Sequence, residues 1–194
     1  MRFFYKDLVL EVPDSVYYPR EDSLLMARIL EKEKADNILD MGCGSGFLSI
    51  IMARENPDSI ITSVDINKEA IKATKENAEK SKVKLKTLVS DLFCFVDGYF
   101  DLIVFNSPYL PVDKKEIKDV TYSGGQTGRE IIEKFITQAK NHLNKKGKIL
   151  LLISSLTGEK EVFNAFRDND FSTKVVAREK VPWEEMIIIE ARIC

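Results

Sequence analysis

Histidine is nearly absent, with His142 the single one in 194 residues. That scarcity removes the commonest general base and metal ligand from the candidate chemistry. Cysteine is scarce as well, and Cys43, Cys94 and Cys194 are spaced for neither a disulfide framework nor a metal site. No apolar run approaches the ~20 residues needed to span a bilayer. The opening Met1-Arg2-Phe3-Phe4-Tyr5-Lys6-Asp7 meets an acid too early for a secretory signal. These absences predict a cytoplasmic protein without membrane contact and without a metal. A basic excess is missing too, since 29 Lys and Arg against 31 Asp and Glu leave a net charge of −2. Proteins that wrap a duplex need a cationic footprint, so the charge balance leans away from nucleic acid. The one Lys-rich stretch, Lys68 to Lys86, carries Glu69, Glu76 and Glu79 among its lysines and reads as a solvated helix face.

What is present is an alternation of short apolar runs with helical patterns, the mark of a parallel sheet with covered faces. Asn37 to Met41, Ile60 to Val64, Val83 to Val89, Tyr99 to Phe105 and Lys148 to Ile153 read as five strands. The fourth is apolar throughout, as a central strand should be. Helices are predicted after Gly46, over Lys68 to Lys80, over about 128–143, and over Glu159 to Arg167. Phe171 to Ala177 and Glu185 to Ile193 are separated only by a turn containing Pro182, so they must pair antiparallel. The expected architecture is α/β, a doubly wound, Rossmann-like sheet of seven strands ending in an antiparallel hairpin. The length suits one domain over 1–194, with 1–35 a short strand-and-helix extension packed on it.

The sharpest local feature is Asp40-Met41-Gly42-Cys43-Gly44-Ser45-Gly46, between the first strand and its helix. Glycines there allow a sharp turn and let a ligand touch backbone. The dinucleotide fingerprint needs a third glycine three residues after the second. Phe47 or Ser49 stands at that place, so the nicotinamide pattern fails and Asp-x-Gly-x-Gly-x-Gly remains. Asp40, Asp65 and Asp91 each sit at or just beyond the end of one of the first three strands, where a doubly wound fold gathers ligand contacts. S-adenosylmethionine has no phosphate and carries a sulfonium and an ammonium, so an acidic pocket suits it. Gly42, Gly44 and Gly46 are expected to meet it through backbone, Asp65 to grip the ribose hydroxyls, and Asp91 with the backbone of Leu92 to read the adenine edge. Each Asp taken alone could equally be a helix cap or a turn former. Cys43 has no neighbouring base and reads as a small apolar filler.

After the fourth strand comes Asn106-Ser107-Pro108-Tyr109, followed by Leu110. As structure it could be only a turn. It leaves the sheet next to where the sulfonium is expected, so Asn106 should border both cofactor and acceptor. The tetrapeptide resembles the Asn-Pro-Pro-Tyr signature of methyltransferases acting on nitrogen conjugated with a π system, with Ser in second place. Such nitrogen is a poor nucleophile because its lone pair is delocalised. Asn106 Oδ1 and the Ser107 carbonyl can each accept an N–H from it, orienting the nitrogen and stabilising developing positive charge. Tyr109 can stack on the planar group, and Pro108 and Leu110 complete the acceptor wall. No general base is needed, in keeping with the missing histidines.

Two further stretches narrow the resemblance. Ser123-Gly124-Gly125-Gln126-Thr127-Gly128-Arg129-Glu130 resembles the Gly-Gly-x-x-Gly-Arg segment of HemK-type protein glutamine methyltransferases. Val16-Tyr17-Tyr18-Pro19-Arg20-Glu21-Asp22-Ser23 resembles the Tyr-x-Pro-x-Glu-Asp-Ser/Thr segment of that family's archaeal and eukaryotic branch, in which the Ser/Thr contacts the cofactor. The role carries over to Ser23, although Asp22 or Ser23 could also cap the following helix. The resemblance runs from about Val16 to the C-terminus, without the separate N-terminal helical domain of the bacterial branch. It implies a class I methyltransferase fold. The implied substrate is the Gln of a Gly-Gly-Gln motif in a class I translation termination factor, and the implied partner a small zinc-binding activator subunit. Two other readings stay open: methylation of an exocyclic amino group of adenine or guanine, and a cofactor-binding subunit without chemistry. Residues 111–122 could form a mobile lid or a plain exposed loop.

Overall fold

The central strands are buried almost without interruption and most helices bury one face, much as the apolar pattern predicts. A computed structural model describes residues 1–108 and 129–194. Tyr109, Leu110, the 111–122 segment and most of the Gly-Gly-x-x-Gly-Arg stretch lie outside the described residues. By its contacts the chain divides into Met1–Asp97 and Gly98–Cys194.

The first unit opens with β1 (Arg2–Tyr5) and β2 (Leu8–Glu11), paired antiparallel with Phe3 opposite Leu10. The N-terminal stretch is therefore a two-stranded hairpin rather than one strand. Lys6, at φ 52, turns the chain tightly enough for the second strand to return. Phe47 packs edge-on against Phe3 and Tyr5, with ring centroids 4.9 and 5.1 Å away. Helix α1 (Glu21–Leu30) follows. Neither Asp22 nor Ser23 is its cap. The N-cap is Arg20, without a side-chain bond, and Asp22 accepts the Ser23 N–H at 2.6 Å from inside the first turn. A carboxylate there also meets the positive end of the helix dipole.

Three parallel strands follow in the order β5-β4-β3, made of β3 (Asn37–Met41), β4 (Ile60–Asp65) and β5 (Lys86–Val89). Helices α2 (Phe47–Glu55) and α3 (Lys68–Lys80) connect them. Ile38 lies opposite Ile61 and Asp40 opposite Ser63, so the C-terminal ends of β3 and β4 finish level. Ile38, Leu39, Val64, Ile50, Met52 and Ala70 are buried between these layers. Strand β5 is shorter than the alternation from Val83 predicts. The Val83 N–H still closes the end of α3 by bonding the Ala78 carbonyl, and Lys82 has φ 56.

The second unit carries β6 (Phe100–Asn106), α4 (Glu130–Ala139), β7 (Leu143–Ser154), α5 (Glu159–Asp168), β8 (Phe171–Val181) and β9 (Glu184–Ile193). Its strand order is β6-β7-β9-β8, with β6 and β7 parallel and the last two strands antiparallel. The mixed seven-stranded sheet and its C-terminal hairpin are thus present as a parallel three-stranded part and a mixed four-stranded part. Helix α4 is shorter than predicted, and Lys140–His142 form a 3-10 turn instead. Strand β7 starts five residues early because Leu143 already pairs with Phe100; the register then slips before Lys148 meets Leu102. Gly147 lies in that slip, and a Cβ there would stand 2.8 Å from the Phe100 carbonyl. Among the described residues no helix is long and apolar enough to cross a membrane.

Candidate active site

In the first unit the glycine loop leaves β3 and turns into α2. Gly42, Gly44 and Gly46 all have positive φ, which only glycine adopts without strain. The N–H groups of Gly42 and Cys43 both bond the Val64 carbonyl, at 2.7 and 2.9 Å, fastening the loop to the end of β4. Asp65 then locks the middle of the loop. Its Oδ2 accepts the Gly44 N–H and its Oδ1 the Asn67 N–H, both at 2.9 Å. Burial raises the Asp65 pKa above the usual carboxylate range, while the backbone bonds from Asn67 and Gly44 oppose that.

Helix α3 braces the other side of the loop. Thr74 Oγ1 donates to the Gly44 carbonyl at 3.1 Å, and Asn77 Nδ2 to the Ser45 carbonyl at 2.9 Å. Asn77 also exchanges bonds with the backbone of Glu11 at 2.9 Å. Neither Thr74 nor Asn77 was singled out in the helix predicted over Lys68 to Lys80. The available signal was a polar pair on the buried face of an otherwise apolar stripe, which demands partners. A Cβ on Gly46 would meet the backbone of Thr74 at 3.0 Å, whereas one on Gly44 would meet nothing within 4 Å. Gly46 thus serves helix packing and Gly44 faces open space.

The three aspartates differ in their surroundings. Asp40 is 1% exposed and accepts the Ser49 hydroxyl at 2.5 Å. Burial pushes its pKa up to about 7; the Ser49 bond works against this and the nearby Asp65 charge adds to it. Asp91 is exposed. It follows Ser90, whose N–H bonds the Asp65 carbonyl at 3.0 Å, so the ends of β4 and β5 stay together. Leu92 is buried with φ 47, a strained backbone for a leucine and one that re-aims its peptide groups. Ile66, directly after Asp65, is 55% exposed. An apolar side chain left bare at a strand end was not singled out from the sequence. Ser23 is buried in a cluster where Tyr17 Oη donates to Asp22 Oδ2 at 2.8 Å and Ser23 Oγ to Asp22 Oδ1 at 3.2 Å. Cys43 is buried, and its thiol pKa is driven well above the ordinary value by burial and then by Asp65 and Asp40, consistent with an inert filler.

In the second unit, Asn106 ends β6, half-buried and in register with Leu152 of β7. Ser107 is 2% exposed and its hydroxyl donates to the Leu152 carbonyl at 2.8 Å. The second position of the tetrapeptide is thereby pinned to β7, a fastening that the proline of the related signature could not make. The Ser107 side chain faces the sheet, and its backbone carbonyl is a separate acceptor. Pro108 is half-buried. Arg129 donates to the Thr157 carbonyl at 2.9 Å, holding the start of α4 to the turn that precedes α5.

Residues 21–180 match the family Methyltransferase small domain. A Methanocaldococcus jannaschii protein named "Putative protein N5-glutamine methyltransferase" is 42% identical over 186 residues, 94% of each chain. A release factor glutamine methyltransferase of Lactococcus lactis is 33% identical over 185 residues, 89% of this chain and 68% of that one. Among solved structures, an E. cuniculi Mtq2–Trm112 complex, described as responsible for methylation of the eRF1 translation termination factor, superposes with a TM-score of 0.75. It covers 93% of this chain and 99% of its counterpart at 24% identity, a likeness of fold. With the family matched over most of its length and a relative at that identity, the chain belongs to the methyltransferase small-domain family and, within it, to the HemK-like protein glutamine methyltransferases.

Proposed function

We propose that this chain transfers a methyl group from S-adenosylmethionine to the side-chain amide nitrogen of the glutamine in a Gly-Gly-Gln motif of a translation termination factor. The observation that carries the reading is Asn106-Ser107-Pro108-Tyr109 at the end of β6, in a chain 33% identical to a release factor glutamine methyltransferase.

The residues of the first unit fit the methyl donor. The loop is open above Gly44, the carboxylates of Asp65 and Asp91 favour a cationic, phosphate-free ligand, and bare Ile66 offers an apolar surface to a flat ring. S-adenosylmethionine, when bound, supplies an electrophilic methyl group on a sulfonium. Gly42, Gly44 and Gly46 would meet it through backbone, Asp65 through the ribose hydroxyls, and Asp91 with Leu92 at the adenine edge. Buried Asp40 acts by positioning, since its carboxylate holds Ser49 of α2 rather than facing solvent. Ser23 would add a hydroxyl from α1.

On the acceptor side, Asn106 Oδ1 and the Ser107 carbonyl would each accept one amide N–H, with Pro108, Tyr109 and Leu110 walling the planar group. Binding both protons of the NH2 group orients the nitrogen and stabilises the charge that grows on it. The surplus proton is lost once methylation has made the nitrogen acidic, so no residue need remove it beforehand. A small zinc-binding activator subunit belongs to the same reading, supported by the family resemblance and by the two-component complex of the E. cuniculi relative.

The test is mass spectrometry of a cognate termination factor incubated with the chain, such a subunit and S-adenosylmethionine. One added methyl on the Gly-Gly-Gln glutamine supports the reading. An unmodified factor beside methylated RNA or DNA would replace it with the exocyclic-amine alternative.

A further inference from the structure

Trp183 is the only tryptophan in the chain, and it is 96% exposed. It occupies the second place of the Pro182-Trp183 turn between β8 and β9, closed by the Val181–Glu184 pair. Its φ is 76. Turns opened by proline reserve such a second position for glycine, because a side chain there is strained. Here the largest side chain stands where the smallest belongs, and at that exposure it packs no core. A strained, solvent-facing aromatic is unusual enough to call for a ligand rather than a folding role.

Register places it within the second unit. Asn106 is opposite Leu152, and Leu152 is opposite Ile188 of β9. The turn projects five residues beyond Ile188, in the direction in which β6 runs into Asn106-Ser107-Pro108. At about 3.4 Å per residue and about 4.8 Å per strand, the Trp183 backbone lies roughly 15–20 Å from that of Asn106. A small acceptor or a single base cannot touch both. Five or six extended residues can, at about 3.4 Å each. Among the described residues the hairpin end is also mildly acidic: Glu159, which shares Arg178 with Glu185, joins Glu179, Glu184 and Glu185 against two cations, Arg178 and Lys180. That charge repels a phosphodiester backbone and suits a polypeptide. Leu156, 54% exposed, adds apolar surface on the 3-10 turn Ser155–Thr157, whose Ser155 accepts the Glu185 N–H at 3.0 Å.

We infer that Trp183 is a docking residue for the protein substrate, covering an apolar or cationic side chain of the termination factor some five or six residues from the methylated glutamine. This rests on the reading above and adds a positioning element remote from the chemistry, where exposed tryptophans commonly act as binding anchors.

A single tryptophan makes the test direct. The full chain is labelled with 5-fluorotryptophan and its one fluorine resonance followed as unlabelled termination factor is added, with turnover measured in parallel. The resonance should shift or broaden saturably with the factor and stay unmoved by S-adenosylmethionine alone. Trp183→Ala should raise KM for the factor about tenfold with kcat and cofactor affinity unchanged, and Trp183→Phe should recover part of the loss. A methylated factor with an unmoved resonance and an unchanged KM would overturn the inference and leave the function standing. An unmethylated factor would remove the function first, and a resonance moved by RNA instead would overturn the protein occupant.

Discussion

The Asp40 carboxylate accepts a 2.5 Å hydrogen bond from Ser49 Oγ, and Ser49 Oγ lies 2.7 Å from the hydroxyl of Ser63. One buried cluster therefore joins the end of β3, the first turns of α2 and the middle of β4, directly behind the glycine loop. The acid that opens the loop motif acts from inside the protein, and its neighbour Asp65 reaches the loop itself.

This burial makes stability depend on pH. Asp40 has a folded pKa of about 7, above its ordinary value of 3.8, so the folded state binds a proton more tightly than the unfolded chain between roughly pH 4 and 7. Stability from this group is full below the unfolded pKa and is lost as pH rises through 7. Asp65 is raised as well and has the same sign. Urea melts should show wild type weakening from pH 5 to pH 8 by at most roughly 3 kcal/mol from Asp40. Asp40→Asn should flatten that slope in part. Equal slopes in the two proteins would refute the assignment.

Asp65 holds the loop by one backbone bond, so Asp65→Ala releases the Gly44 N–H and removes a carboxylate from the proposed ribose site. Calorimetric titration should find S-adenosylmethionine affinity reduced about 10- to 100-fold, the scale of one or two charge-assisted hydrogen bonds. Undiminished affinity would place the cofactor elsewhere.

Gly44 and Gly46 should separate binding from folding. Gly46→Ala adds a Cβ against Thr74 at a φ of 82 and should cost about 2–4 kcal/mol of stability. Gly44→Ala has open space and a φ of 55, so its stability cost should stay near about 1 kcal/mol while cofactor affinity falls more sharply. Thermal melts beside titrations decide it. The reverse pattern would mean that the open side of the loop is not the ligand side.

Asn106→Ala touches the acceptor half of the chemistry. Cofactor affinity should stay within about twofold, while turnover on a termination factor falls roughly 100- to 1,000-fold, the usual cost of removing one hydrogen-bonding group that acts in the transition state. Full activity would sink the role proposed for this residue.

The strand plan was readable because buried parallel strands are apolar without interruption, as at Leu102 to Phe105 and Leu150 to Ile153. Boundaries were less so. Leu143 belongs to β7 only because Phe100 is there to pair with it, and Val83 is drawn to the end of α3 rather than into β5. Ser49, Thr74 and Asn77 were missed for a related reason: their worth lies in hydrogen bonds to the loop or its flanks from other elements, and a lone polar residue in a helix does not announce its partner.

Residue order alone determined the strand-and-helix alternation, the Asp-x-Gly-x-Gly-x-Gly loop and the Asn106-Ser107-Pro108-Tyr109 signature, because local periodicity, glycine's conformational range and motif spacing are properties of neighbours along the chain. Tertiary structure decided what each charged or polar group does. It buried Asp40 and lifted its pKa, gave both Asp65 oxygens to backbone N–H groups, turned the Ser107 hydroxyl onto Leu152, and left Trp183 bare at a hairpin tip. Those outcomes depend on which distant groups share a dry or a wet space, and desolvation and hydrogen bonding are set by that neighbourhood.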